Sequence, residues 1–433
     1  MTTSFKYFLE RQSFGDEALL VNFSMTPSSN IEGSTEEFAA LAKAADFNVV
    51  DTLNGHLCKI DSKYFMGKGK AQTLADLTKQ LKIKTVLINH ELTPAQVRNL
   101  EKLCQSHVMT RIELILNIFS KRASTFEGKL QVELAHLKHL TTRLLGGWTH
   151  LERQRGGIGL RGGAGEKQLE MDRRSLNQRI HTIQKRLQKV SVQRAERRRT
   201  RHRSNTTTIA LVGYTNAGKS TLFNTLTQGH SEVKDQLFAT LDPTIKQLKL
   251  PYLHQTVIVD TVGFIQDLPH ELVAAFRATL EETTQAHLLL HVIDTTHKDV
   301  QASIDSVDEV LTSIHAHHIP TLLVYNKIDA HSHFEPKIDY DQTGCPRRVW
   351  ISAKNRIGID HLIRAMTERL TRDMYDCCII LPPQNARLRS QLYVLNVVKT
   401  ETVTDQGDWQ LMLKIRKDLY QRLGLSQFSC HTA

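Results

Sequence analysis

Gly213 and Gly218 are followed at once by Lys219 and Ser220, so residues 213–220 read GYTNAGKS. Two glycines at that spacing let a loop turn tightly enough to aim backbone amides at phosphate oxygens. Lys219 supplies a point charge for the β- and γ-phosphates. The Ser220 hydroxyl supplies an oxygen ligand for Mg2+, which favours an octahedron of oxygens. Tyr214, Thr215, Asn216 and Ala217 form the loop between, and Thr221 opens a helix, TLFNTL, whose positive end faces the phosphates. The loop follows the apolar run 208–212, which reads as a strand. That strand–loop–helix context makes the pattern far more specific than the residue types alone.

Three later motifs point to which nucleotide is bound. Asp260, Thr261, Val262 and Gly263 end an apolar strand as D-x-x-G. There Asp260 is placed to hold Mg2+ through water, and the Gly263 amide to meet a γ-phosphate. Asn326, Lys327, Ile328 and Asp329 end another strand as N-K-x-D. A carboxylate at Asp329 accepts both N1–H and the exocyclic amine of guanine. Adenine offers neither, and a buried carboxylate left unpaired is costly. Ser352, Ala353 and Lys354 follow the strand-like 349–351, where a backbone amide can bind the guanine O6. The four motifs in order imply hydrolysis of GTP to GDP and phosphate, with Lys219, Gly263 and a switch threonine at the reacting phosphate.

That threonine lies in residues 238–244, FATLDPT, with Phe238, Ala239, Leu241 and Asp242, and is either Thr240 or Thr244, between which position alone does not choose. It joins Ser220 as a metal ligand. Phe264 follows Gly263 where many relatives of this fold place a glutamine that orients the attacking water. Phenylalanine cannot do that, so intrinsic hydrolysis is expected to be slow unless another group or a bound partner completes the site. Asn216 has two readings, a ligand for an activating K+ ion or a plain loop hydrogen bond. Equal rates in K+ and Na+ would exclude the first.

Positioning these motifs requires a P-loop α/β domain over residues 205–372, with strands alternating with helices. The whole chain of 433 residues exceeds what one core fills, so further domains are expected. Residues 10–127 alternate short apolar runs with helical patterns and read as a mainly parallel α/β domain. Strands are expected at 18–23, 48–53 and 85–89, and helices opening at a capping box from Ser34 and at Thr93-Pro94. Residues 128–203 carry two helical repeats, Leu130, Leu134, Leu137, Thr141 and Leu144, then Leu169, Leu176, Ile180, Ile183, Leu187 and Val190. They read as an antiparallel helical hairpin. Residues 376–433 form a small C-terminal domain with strand-like 378–381 and 391–398 and a helix at 418–423.

The hairpin loop, residues 146–165, holds Trp148, His150, Arg153, Arg155 and Arg161 among many glycines. Glycine permits close backbone approach, while arginine pairs with phosphate and stacks on bases, so RNA contact is the favoured reading. The run 194–203, RAERRRTRHR, adds charge, and the net charge of +11 suits a polyanionic partner. Hydrophobic residues make up 40%, and no apolar run is long enough to span a bilayer, which favours a cytoplasmic protein. None of the six cysteines forms a C-x-x-C pair, so no cysteine metal site is expected.

With these residues in hand, the chain resembles the HflX family of ribosome-associated GTPases. The resemblance rests on residues 65–70 (FMGKGK), 126–134 (FEGKLQVEL), 146–153 (GGWTHLER), 156–162 (GGIGLRG), 238–243 (FATLDP) and 260–265 (DTVGFI). It implies an N-terminal α/β HflX domain with its helical hairpin, a Ras-like GTPase domain and a short C-terminal domain. It also implies Thr240 as the switch threonine, the large ribosomal subunit and its RNA as partner, and splitting or rescue of stalled ribosomes under stress. The expected state is a monomer cycling between GTP and GDP. Two departures stand out. Residues 161–170 read RGGAGEKQLE where the family usually has RGPGETQLE, and Thr110-Arg-Ile replaces the usual DRT. The alternative function is a nucleotide-switched RNA-binding or RNA-remodelling protein. Residues 67–70, GKGK, lack the full pattern needed to argue for ATP in the N-terminal domain.

Overall fold

The structure is a computed structural model. It describes residues 17–25, 31–147, 164–203, 206–227, 237–238, 240, 243–253, 255–264, 282–297, 299–331, 335–372 and 374–428. Chain contacts divide it into two compact units. The first holds residues 1–192, 235–242 and 267–276, and the second holds residues 193–234, 243–266 and 277–433.

The first unit begins with β1 (Glu17–Ser24), α1 (Ile31–Ala44), β2 (Asn48–His56), α2 (Lys68–Gln80), β3 (Thr85–Ile88), α3 (Pro94–Cys104) and β4 (His107–Thr110). The strands form a parallel sheet in the order β2-β1-β3-β4, as the alternation of strand and helix requires. Thr93 caps α3 through a reciprocal box with Gln96, with Pro94 in the first turn. The box expected at Ser34 does not start a helix: α1 already runs from Ile31. The Ser34 hydroxyl instead accepts a hydrogen bond from Asn89, which follows β3.

α4 (Arg111–Arg122) leads into the hairpin, α5 (Phe126–Gly147) and α6 (Ala164–Arg203). These two helices run antiparallel. Leu130, Leu134 and Leu137 of α5 share a buried cluster with Ile183 of α6, flanked by Leu176, Ile180 and Leu187. Glu133 and Arg179 pair across them at 2.7 Å. The first turn of α4 is tied to α5 by Glu113, buried and paired with Arg143. Burial would raise the Glu113 carboxyl, but hydrogen bonding from His139 and the charge of Arg143 hold it below its ordinary value. The glycine- and arginine-bearing segment 148–163, with Trp148, His150, Arg153, Arg155 and Arg161, lies outside the described residues.

In the second unit follow β5 (Thr207–Val212), α7 (Lys219–Thr227), β6 (Thr244–Leu248), β7 (Thr256–Asp260), β8 (Leu288–Asp294), α8 (Val300–Ser313), β9 (Thr321–Asn326), β10 (Ile338–Tyr340), β11 (Pro346–Trp350) and α9 (Ile359–Thr371). The sheet order is β10-β11-β9-β8-β5-β7-β6. β7, β5, β8, β9 and β11 are mutually parallel, so all their carboxyl ends reach one edge. β5 is buried throughout, as a central strand covered on both faces must be.

The C-terminal part holds β12 (Met374–Leu381), α10 (Ala386–Val394), β13 (Val398–Val403), β14 (Trp409–Arg416) and α11 (Lys417–Arg422), with an antiparallel sheet ordered β12-β14-β13. Residues 391–394, expected as strand, are the last turn of α10, and the strand starts only at Val398. Leu392 points into the core while Tyr393 and Val394 stay exposed, a helical rather than alternating pattern. Cys377 is half-buried on β12, where burial pushes its thiol up to about 11.

Candidate nucleotide-binding site

Four motifs end strands whose carboxyl ends share one sheet edge, so the sheet alone gathers them. β5 lies between β7 and β8, where the strand order reverses, and open α/β sheets leave a crevice at such a point. The P-loop fills it. Gly213 has φ +147, and a Cβ there would stand 2.2 Å from the Val292 carbonyl of β8. Gly218 has φ +92, and a Cβ there would stand 2.3 Å from Asn326 Nδ2. Both positions therefore demand glycine, for backbone conformation and for close approach. Asn216 is exposed and also left-handed, with φ +59, a conformation that asparagine tolerates. Ala217 is fully buried, and Thr221 lies in the first turn of α7.

Lys219 is buried and its Nζ donates to the carbonyls of Gly213 (2.9 Å) and Tyr214 (2.7 Å). Burial lowers its pKa to about 8, against the opposing pull of Asp260. One residue on, the Ser220 hydroxyl donates to Asp260 Oδ2 at 2.8 Å. This pair offers oxygen donors only, a set that suits Mg2+. Thr261 is anchored by its hydroxyl to the Leu211 carbonyl (2.6 Å). Val262 is buried, and the chain then folds back onto the P-loop. Thr215 N–H donates to the Phe264 carbonyl (2.7 Å), and Phe264 N–H to the Gly213 carbonyl (3.1 Å). The Phe264 side chain is 2% exposed.

The other end of the site is held by Asn326. Its Nδ2 donates to the Ala217 carbonyl, and its Oδ1 accepts from Ala353 N–H, both at 2.9 Å. One side chain thus clips the P-loop to the loop after β11. Asp329 Oδ1 accepts from the Ser352 hydroxyl at 2.6 Å, which fixes the carboxylate's direction. Ile328 is buried between them, and Lys354 is exposed. Lys327 is left-handed (φ +66), and its Nζ lies 2.7 Å from Asp294 Oδ2. Burial would raise the Asp294 carboxyl, but hydrogen bonds from Lys327 and Thr296 hold it below its ordinary value.

Sequence reasoning missed Asp294 and His291, both on β8. His291 is buried, and burial together with the Lys219 charge lowers its pKa to about 4. Polar residues interrupting an otherwise apolar strand, LLLHVID, were the available signal. Of the switch residues, Phe238 and Thr240 belong to the first unit, where the Phe238 ring meets that of Phe119 edge-on at 4.7 Å. Ala239, Leu241 and Asp242 lie outside the described residues.

Comparison with known proteins decides the family. Over 406 residues the chain is 50% identical to the GTPase HflX of Escherichia coli (strain K12), which covers 94% of this chain and 95% of that protein. The chain belongs to the HflX family of GTPases. The HflX of Magnetococcus marinus is 43% identical over 355 residues, 81% of each chain. Three family models match in sequence along this HflX chain: "GTP-binding GTPase N-terminal" at 32–120, "GTP-binding GTPase Middle Region" at 122–201 and "50S ribosome-binding GTPase" at 208–327. A GTP-binding protein from Sulfolobus solfataricus in complex with GDP is 24% identical, with TM-score 0.42, over 82% of this chain and 99% of that one. The chain is thus a GTPase, converting GTP to GDP and phosphate. Among the described residues, no helix is long and apolar enough to cross a membrane.

Proposed function

We propose that this HflX protein is a cytoplasmic, monomeric factor that docks on the large ribosomal subunit in its GTP state and leaves after hydrolysis. In that role it splits or rescues stalled ribosomes under stress. Lys219 neutralises phosphate charge, Ser220 and Thr240 ligate Mg2+, and Asp260 holds the ion through water. Gly263 senses the γ-phosphate, and Asn326 and Asp329 with the loop 352–354 read guanine. Mg2+ held by Ser220 and Thr240 would supply positive charge that offsets that of the phosphates. K+ at Asn216 remains the lesser reading, because the left-handed backbone there already favours asparagine.

The observation that carries the ribosome reading is the pairing, in one chain, of this GTPase site with the α5–α6 hairpin, whose joining segment is rich in glycine and arginine. The description of the family model matched over residues 208–327 supports it. The test is cosedimentation with purified large subunits on sucrose gradients. Recovery with subunits is expected with a non-hydrolysable GTP analogue. It should fall with GDP, and with residues 146–165 replaced by a neutral linker. Equal recovery of the linker variant would remove the hairpin loop as the contact.

A further inference from the structure

A GTPase with phenylalanine after its D-x-x-G glycine lacks the usual group that orients the attacking water. Phe264 is buried and its backbone is paired with the P-loop, so it is not that group. The second unit holds another polar side chain at this place. Thr215 is 5% exposed, and its Oγ1 has no hydrogen-bond partner among the described residues. A buried hydroxyl without a partner is costly, and groups left in that state are often held for a ligand.

The Thr215 backbone and methyl group are placed against Gly263 and the Lys219 ammonium. A Cβ built on Gly263 would lie 2.9 Å from Thr215 Cγ2, 3.0 Å from the Thr215 Cα and 3.0 Å from Lys219 Nζ. Thr215, the Lys219 ammonium and the Gly263 backbone therefore converge within a few ångströms. In P-loop GTPases the lysine and the D-x-x-G amide both bind the γ-phosphate, so the point of convergence marks the reacting group. The Thr215 amide is committed to the Phe264 carbonyl, which leaves the side chain as this residue's contribution.

We propose that the Thr215 hydroxyl positions the attacking water in this GTPase, accepting a hydrogen bond from it and donating one to a γ-phosphate oxygen. Thr215 takes no proton in the step. The water oxygen bonds to the γ-phosphorus, and the bond from that phosphorus to the β–γ bridging oxygen breaks. GDP leaves with the electron pair, and the water's protons end on phosphate and solvent. A lone hydroxyl orients less strictly than a bidentate amide, so hydrolysis by the chain alone is expected to be slow.

The test uses the full chain without any partner, so it stands apart from the ribosome reading. Thr215→Val keeps the shape and removes the hydroxyl, and Thr215→Ser keeps the hydroxyl. Single-turnover hydrolysis at saturating GTP is compared with the Kd of a fluorescent GDP analogue. The valine variant, losing one hydrogen bond at a charged reacting group, is expected to hydrolyse roughly 10- to 100-fold more slowly with GDP affinity within about twofold of the original. The serine variant should recover to within about threefold. Undiminished hydrolysis by Thr215→Val overturns the proposal, and so does a serine variant as slow as the valine one. A parallel loss of GDP affinity in Thr215→Val would make the residue structural and overturn it equally. If Thr215→Val proves insoluble, Thr215→Ala carries the same expectations.

Discussion

Replacing Asn326 by alanine cuts the clip between the P-loop and the loop after β11, and its cost can be worked from two hydrogen bonds. Asn326 is 2% exposed, and both bonds, to the Ala217 carbonyl and from the Ala353 amide, are 2.9 Å long. Truncation strands one acceptor and one donor in a buried setting. Each stranded group costs about 1–3 kcal/mol. Some relaxation toward water is open because the loops line a crevice, so the lower half of the range applies to each, about 3 kcal/mol in all. The denaturation midpoint of the nucleotide-free protein should fall by about 1–2 M urea for a slope of about 2 kcal/mol per molar. Affinity for a fluorescent GDP analogue should fall too, since Ala217 and the 352–354 loop lose their common anchor. The assay is urea unfolding followed by fluorescence, paired with a GDP titration. A midpoint within about 0.2 M of the original, with unchanged GDP affinity, would show that the clip contributes nothing, and the reasoning fails.

Gly218→Ala combines a left-handed backbone with a Cβ 2.3 Å from Asn326 Nδ2, so GDP affinity should drop at least about tenfold, read by the same titration. For pH, Lys219 titrates near 8 in the nucleotide-free site, and bound phosphates favour its charged form. Binding then takes up a proton above that value. GDP affinity should be nearly flat from pH 6.5 to 7.5 and fall roughly tenfold by pH 9, and a flat profile to pH 9 would contradict the assignment. Glu113→Gln leaves the Arg143 charge without its buried partner and should destabilise the first unit by about 3 kcal/mol, seen as a lower urea midpoint.

What could be read in the sequence was whatever depends on local spacing. The P-loop, D-x-x-G and N-K-x-D segments each announce themselves within a few residues, and apolar runs before them mark the strands. Pairings between distant residues were hidden. Asn326 meets Ala217 across 109 positions, and Lys327 meets Asp294 on the neighbouring strand. Only the sheet order, which sets β9 beside β8, makes such partners neighbours. Two readings failed where tertiary context overrode local preference. Ser34 and Glu37 fit a capping box, yet the helix had begun at Ile31, and both side chains serve other partners, Asn89 and Arg111. Residues 391–394 are rich in strand-forming types but complete a helix that buries Leu392.

GTP hydrolysis by the full chain, with and without purified large ribosomal subunits, tests the central claim most directly. A Lys219→Ala variant serves as the blank. Slow turnover by the chain alone, a large rise with subunits, and none with Lys219→Ala are expected. No change on adding subunits would leave a GTPase whose activating partner is not the ribosome, and turnover retained by Lys219→Ala would contradict the site itself.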